Sequence, residues 1–271
     1  MRIRLNERDV EVAGGATVAQ VRAAHKPGAD VLVVNGAPAA AGCVLHDSDT
    51  VVLIARGEVP SAEDLEALMV ARHTPGVHEK VRRATVGVAG LGGLGSNVAA
   101  ALARLGVGRL VLADFDVVEP SNLNRQNYLV EHIGMRKVDA TVELLHRINP
   151  YVALVPHHVR LDSGNVPGVF AEADVLVEAF DNAAAKAMIA EAFHAAFPDR
   201  PLVMASGMAG HASGNTIRCR RLGRNTWVAG DLESAAGPGM GLMAPRVLIA
   251  AAQEANMVLR LLLGETEEEP L

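Results

Sequence analysis

Residues 90–96 read Gly-Leu-Gly-Gly-Leu-Gly-Ser, with Gly90, Gly92 and Gly95 in G-x-G-x-x-G spacing between a strand-like run and a helical one. Glycines there let a turn tighten, let a phosphate approach the backbone, and aim a helix N-terminus at the anion. Asp114 closes the next apolar run about 20 residues on, where a carboxylate meets ribose hydroxyls. Alone, this pattern signals a nucleotide, with NAD as the default.

The residues after Asp114 suit a different chemistry. Asp114-Phe115-Asp116 runs into Glu119-Pro120-Ser121-Asn122-Leu123-Asn124-Arg125-Gln126, and Lys137 comes after Gly134. Hydride transfer needs an apolar nicotinamide pocket. Arg125 and Lys137 instead suit a triphosphate whose charge rises during attack at phosphorus. Asp181, after another apolar run, is placed to hold Mg²⁺ across those phosphates.

Such residues need βαβ units to carry them to one edge of a sheet. From Ala84 onward the pattern predicts strands at 85–89, 109–113, 153–157, 174–179, 202–205 and 216–220. Helices are predicted at 96–105, 137–148, 183–197 and 243–263, the last strongly apolar, and the acidic run 265–269 reads as a solvated tail. Before this lies something smaller. Ile3 and Leu5, then Val10 and Val12, alternate around Asn6-Glu7-Arg8-Asp9 as a hairpin does. Thr17 caps a short helix at 18–25, and strands come next at 31–34 and 50–54. This is a compact β-grasp pattern over 1–57. Residues 58–83 read as a packed helical connector, with Ser61 and Asp64 in a capping-box arrangement and Leu65, Leu68 and Met69 on an apolar face broken at Thr74-Pro75-Gly76.

Composition sets the outer limits. The 271 residues are half hydrophobic, enough for one large domain and one small. Asp and Glu outnumber Lys and Arg 31 to 25, for a net charge of −6, which disfavours a nucleic-acid backbone as main partner. Only 5 Phe, 2 Tyr and 1 Trp are present, too few for a base-stacking surface. No run is long enough to span a membrane and the start is not a signal peptide, so the expectation is a soluble cytoplasmic protein. Cys43 and Cys219 cannot build a disulfide framework or a four-cysteine zinc site, and both read as small, buried or partly buried side chains. His73, His78, His132, His157 and His158 show no metal-ligand spacing.

The ordered set G-L-G-G-L-G-S, D-F-D, S-N-L-N-R-Q, the lysine of G-M-R-K, R-I-N-P and F-D-N resembles the ThiF/MoeB/HesA-like adenylyltransferases of the ubiquitin-activating superfamily, from about Ala84 to Gly264. Residues 1–57 resemble ThiS, the β-grasp sulfur carrier of thiamine biosynthesis. The resemblance implies an α/β fold: a Rossmann-like ATP-binding domain at 84–271 with a mainly parallel sheet, plus the small N-terminal β-grasp, ubiquitin-like domain. It implies that Gly90, Gly92, Gly93, Leu94 and Gly95 lie under the ATP phosphates, with Asp114 on the ribose and Asp116 beside it. Ser121, Asn122, Asn124, Arg125 and Lys137 belong to the triphosphate side, with Arg125 and Lys137 catalytic. Asp181 is the Mg²⁺ ligand, with Asn182 next to it. Arg72 matches an arginine that reaches the ATP of a partner subunit.

Three departures qualify this. Relatives commonly carry two C-x-x-C pairs for structural zinc, and this chain has none, so no zinc is expected. Neither cysteine sits in a convincing crossover loop for sulfur transfer. A functional carrier ends in Gly-Gly with a free carboxylate, whereas here Ala55-Arg56-Gly57 continues into Glu58-Val59-Pro60. The fused domain therefore reads as regulatory or structural.

The implied reaction is transfer of AMP from MgATP to the C-terminus of a separate small β-grasp carrier, with pyrophosphate released, in thiamine or related sulfur-cofactor synthesis. A sulfur donor protein is a further partner, and no nucleic acid or membrane is expected. A homodimer is expected, because family sites are completed across an interface and the helix after Pro245 is too apolar to face water. The alternatives are adenylation of another acceptor such as a tRNA base, a non-catalytic binding protein on the same fold, and an NAD-dependent oxidoreductase.

Overall fold

The computed structural model describes residues 1–266; from position 267 on, the acidic run read as a solvated tail lies outside the described residues. The chain divides into two compact units, Met1–Gly76 and Val77–Leu271.

In the first unit, β1 (Arg2–Leu5) and β2 (Arg8–Glu11) form the predicted hairpin, with Ile3 opposite Val10. Helix α1 (Val18–His25) comes next, opened by a reciprocal capping box between Thr17 and Gln20. After it come β3 (Val31–Val34), the two-residue β4 (Ala37–Pro38) and β5 (Thr50–Ile54). The sheet order is β2-β1-β5-β3-β4, with β5 parallel to β1 and antiparallel to β3. Strand alternation puts Ile3, Leu5, Val51 and Leu53 on one face, where Val18 and Val21 of α1 cover them. This is a ubiquitin-like β-grasp core.

Helix α2 (Ala62–Arg72) starts at Ser61, whose hydroxyl accepts the Asp64 N–H at 3.1 Å. The capping box is incomplete, because the Asp64 carboxylate pairs with Arg8 instead. Leu65, Leu68 and Met69 are only half-buried. The segment 58–83 is also not one element: after the break, α3 (Val77–Arg83) belongs to the second unit, where Val81 is fully buried in the main core.

The second unit alternates β6 (Thr85–Ala89), α4 (Gly95–Leu105), β7 (Arg109–Asp114), α5 (Lys137–Ile148), β8 (Ala153–His158), α6 (Val166–Val169), β9 (Val175–Glu178), α7 (Ala183–Ala196) and β10 (Leu202–Ala205). A hairpin, β11 (Arg218–Arg221) and β12 (Thr226–Gly230), precedes α8 (Ala244–Leu263). Seven strands order as β11-β12-β10-β9-β6-β7-β8, all parallel except β11 against β12. Strands covered on both faces need continuous apolar runs, and 86–89 and 175–177 are apolar and buried at every position. Strand β12, which carries the fully buried Trp227, is not among the strands expected from the sequence.

The chain runs outward from β6 through β7 to β8, then returns to place β9 on the other side of β6. Ligands in open α/β sheets bind outside the strand C-termini at such a reversal. Helix α8 turns Val247, Ala250, Ala251, Met257 and Val258 into this unit, against α4, β10 and β12. The apolarity of that helix is thus satisfied within its own unit, and it does not by itself require a second copy to cover it.

Candidate functional site

The glycine loop leaves β6 at Gly90, whose φ of +89° is the left-handed region that suits glycine. Gly95 opens α4 so close to it that a Cβ would overlap the Gly90 carbonyl oxygen. The helix N-terminus can therefore sit on the loop only without a side chain. Ser96 donates to the Gly92 carbonyl at 2.6 Å and accepts the Asn127 N–H at 3.0 Å, tying the loop to the segment after Arg125.

A cavity of about 900 Å³ lies over these strand ends. It is lined by Gly90, Gly92, Gly93, Leu94, Asp114, Asp116, Arg125, Lys137, Asp181 and Asn182, all predicted from sequence. Gly95, Ser121, Asn122 and Asn124 are not on its surface. Ser121 and Asn122 belong to the short 3-10 turn (Pro120–Asn122) just before Arg125, where Asn122 accepts the Glu119 N–H at 3.0 Å; Asn124, beyond the turn, accepts from the Arg125 guanidinium at 2.8 Å. Arg72 lies in the other unit, at the end of α2, and pairs with Glu7 at 2.7 Å.

Asp114, at the end of β7, is buried and accepts two backbone N–H groups: Leu91 of the glycine loop and Asp116, each at 2.7 Å. It therefore fixes the loop as well as facing the cavity. Lys137 heads α5 at 6% exposure with Asp116 as its counter-ion. Asp181 comes just after β9, exposed to the cavity, while Asn182 caps α7 by accepting the Ala184 and Ala185 N–H groups.

Several lining residues were assigned no role from the sequence. Gln126 lines the cavity but is buried, and its Oε1 has no hydrogen-bond partner among the described residues. Arg160 lies over the Phe115 ring at 5.5 Å, and Asp162 sits in the same loop. Lys186, one turn into α7, holds both oxygens of the fully buried Glu178 at 3.0 Å. Glu178 Oε1 also takes the Phe180 N–H, clamping the turn before Asp181. The C-terminal end of β8, and the i, i+4 spacing of Lys186 from Asn182, were signals available for these.

Elsewhere, Glu131, His132 and Glu143 converge within 4.8 Å. His132 Nδ1 accepts the Leu129 N–H, so the neutral ring carries its proton on Nε2, toward Glu143 at 3.9 Å. A donor facing a carboxylate is not a metal-ligand arrangement. Burial pushes the Cys219 thiol up to about 11, which keeps it from acting as a thiolate. No helix among the described residues is long and apolar enough to cross a membrane.

A sequence model of the ThiF family matches residues 66–271, and one of ThiS-like ubiquitin matches 1–57. The adenylyltransferase and sulfurtransferase uba4 of Aspergillus fumigatus is 39% identical over 130 residues, 48% of this chain and 26% of that protein. The adenylyltransferase and sulfurtransferase MOCS3 of Culex quinquefasciatus is 34% identical over 149 residues, 52% of this chain and 34% of its own. The chain thus spans about a quarter to a third of the length of these relatives. Among solved structures, E. coli tRNA N6-threonylcarbamoyladenosine dehydratase in complex with ATP aligns at a TM-score of 0.69 and 20% identity, covering 77% of this chain and 98% of that one. E. coli MccB with AMPCPP and MccA aligns at 0.57 and 21%, covering 79% and 67%. At these identities the two structures speak for the fold.

Proposed function

We propose, since the chain belongs to the ThiF family across residues 66–271, that it adenylates the C-terminal carboxylate of a separate ubiquitin-like sulfur carrier. The carboxylate oxygen attacks the α-phosphorus of ATP, the bond to the bridging oxygen breaks, and pyrophosphate leaves. A carboxylate is already ionised at neutral pH, so no general base is needed. The protein supplies position and charge. The names of the uba4 and MOCS3 relatives and the ThiS-like N-terminal domain support a carrier as acceptor.

One observation carries the reading: the glycine loop, Asp114, Arg125, Lys137 and Asp181 all face a single cavity. The loop and the start of α4 cradle phosphates. Arg125 and Lys137 face the charge that grows on the phosphates. Asp181 fits Mg²⁺: its carboxylate is a hard oxygen donor that lines the cavity and is engaged by no side chain among the described residues. When bound, the ion would neutralise phosphate charge. Thiamine or a related sulfur cofactor as end product, a homodimer and a cytoplasmic location belong to the same proposal.

The test is ATP–pyrophosphate exchange with a purified carrier ending in a free carboxylate, with the same carrier amidated at its C-terminus as control. Exchange is expected with the first and not the second. NAD binding without exchange would return the site to oxidoreductases.

A further inference from the structure

Part of the cavity wall comes from two backbone segments with no role in the phosphate chemistry above, 206–208 and 232–236. A single buried ion pair holds both. Arg246, the third residue of α8, is 3% exposed. Its Nη1 donates to the carbonyls of Ala212 and Ser213 at 2.8 Å each, its Nε to that of Met208 at 3.3 Å, and its Nη2 to Asp231 Oδ2 at 2.5 Å. Asp231 Oδ1 accepts the N–H groups of Glu233 at 2.9 Å and Ser234 at 2.8 Å, and Oδ2 takes the Ser234 hydroxyl.

The backbone closes the same link. Asp231 N–H donates to the Gly207 carbonyl at 2.8 Å, Leu232 N–H to Ser206 at 3.1 Å, and Met208 N–H to Ser234 at 3.2 Å. Gly207 has φ +79°, and a Cβ there would overlap Asp231 Oδ1. Between these constraints sits Leu232, with φ 70°. A leucine adopts left-handed backbone only where its surroundings over-determine it, and such residues gather at ligand contacts. Its side chain is 38% exposed and lines the cavity.

The wall around it differs from the phosphate side. Ser206, Gly207, Ala235 and Ala236 are small, and the only charged lining residue in these two segments is Glu233. A carboxylate repels phosphate, while a wall of small side chains with one charge suits an extended peptide of small residues.

We propose that Leu232 is the contact by which the cavity grips the carrier's C-terminal tail, and that Asp231 and Arg246 are positioning residues that hold it there. This rests on the adenylation reading above.

The test uses the full chain, a purified ubiquitin-like carrier ending in Gly-Gly, and ATP with Mg²⁺. Leu232→Ala is expected to raise KM for the carrier about tenfold, leaving kcat and ATP affinity within about twofold. Arg246→Met is expected to raise the same KM and to speed amide exchange across 206–213 and 231–236 about tenfold. Arg246→Lys keeps the charge facing Asp231 and should recover part of both; it also serves if Arg246→Met fails to fold. An unchanged carrier KM in Leu232→Ala overturns the contact, as does an equal loss of ATP affinity. Unchanged amide exchange in both Arg246 variants overturns the positioning role. No pyrophosphate exchange by the unaltered chain with such a carrier would defeat the adenylation reading and Leu232's contact with it, while amide exchange would still decide the Arg246 link.

Discussion

Lys137 Nζ lies 2.9 Å from Asp116 Oδ2, and the Lys137 backbone N–H donates to the Asp116 carbonyl, also at 2.9 Å. One aspartate thus fixes both the start of α5 and the charged end of its first side chain. A buried ammonium without that counter-ion would be costly. The pairing also stops the lysine from collapsing onto another acceptor before nucleotide arrives. Lys137→Ala is therefore expected to lower kcat by about 10²-fold, with a smaller rise in KM for ATP, because the charge it meets grows during attack. Steady-state kinetics with carrier and ATP varied separately check this. Loss of ATP affinity with turnover intact at saturation would make Lys137 a ground-state binder.

Asp181 gives a sharper expectation. It is exposed to the cavity at the end of β9, and the turn before it is clamped by Glu178 and Lys186 rather than by its own carboxylate. Asp181→Ala should leave the fold and melting temperature close to those of the unaltered chain. It should reduce pyrophosphate exchange by several kcal/mol of transition-state stabilisation, on the order of 10²- to 10³-fold. Near-normal exchange would remove Asp181 from the site.

Those parts of the site depend on local sequence, which is why they were legible. Gly90 and Gly95 are dictated by turn and close approach, and Asp114 and Asp181 by their place at the ends of apolar strand runs. What escaped is non-local. Arg246 reads as an odd charge in an apolar helix until loops 206–213 and 231–234 fold back over it, and β12 is a short run between turns whose register exists only between β10 and β11. Ser121, Asn122 and Asn124 belong to the right motif, but their side chains bond the Glu119 carboxylate, the Glu119 N–H and the Arg125 guanidinium respectively. Motif spacing cannot separate a residue that touches the ligand from one that presents it.

Glu254 has no place in the chemistry yet sets a pH dependence. It is fully buried in α8, neither carboxylate oxygen has a hydrogen-bond partner among the described residues, and Glu178, Lys186 and Cys219 lie around it. Burial, then the nearby Glu178 charge, pushes its carboxyl well above the ordinary 4.5. Lys186 instead pairs with Glu178. Above that ordinary value the folded chain holds a proton that the unfolded chain has released. Stability therefore falls as pH rises from there toward the raised folded value, and is flat beyond it. Glu254→Gln is expected to remove this slope between about pH 5 and 7 and to raise Tm at neutral pH by about 2 °C or more. Parallel Tm–pH curves for the two proteins would show that Glu254 is ionised in the fold.

The fused β-grasp domain poses the remaining question, whether it is itself adenylated. A carrier reacts through the free carboxylate of its final glycine, whereas the Gly57 carboxyl is held in the peptide bond to Glu58. The segment is also not extended: Glu58 N–H donates to the Ala55 carbonyl at 3.3 Å, Arg56 N–H to Asp30 at 3.2 Å, and Lys26 pairs with Glu58 at 2.8 Å. Gly57 turns the chain with φ +75°. A tail bent back onto its own domain is held out of the extended shape in which a carrier's C-terminus reaches into a cavity. Tethering raises the effective concentration of such a domain to about a millimolar, so even a poor substrate would react if it had a free end. The intact chain is thus expected to acquire no AMP from α-labelled ATP, and to catalyse pyrophosphate exchange only when a separate carrier is added. Label on a fragment ending at Gly57 would show that cleavage converts the domain into a substrate.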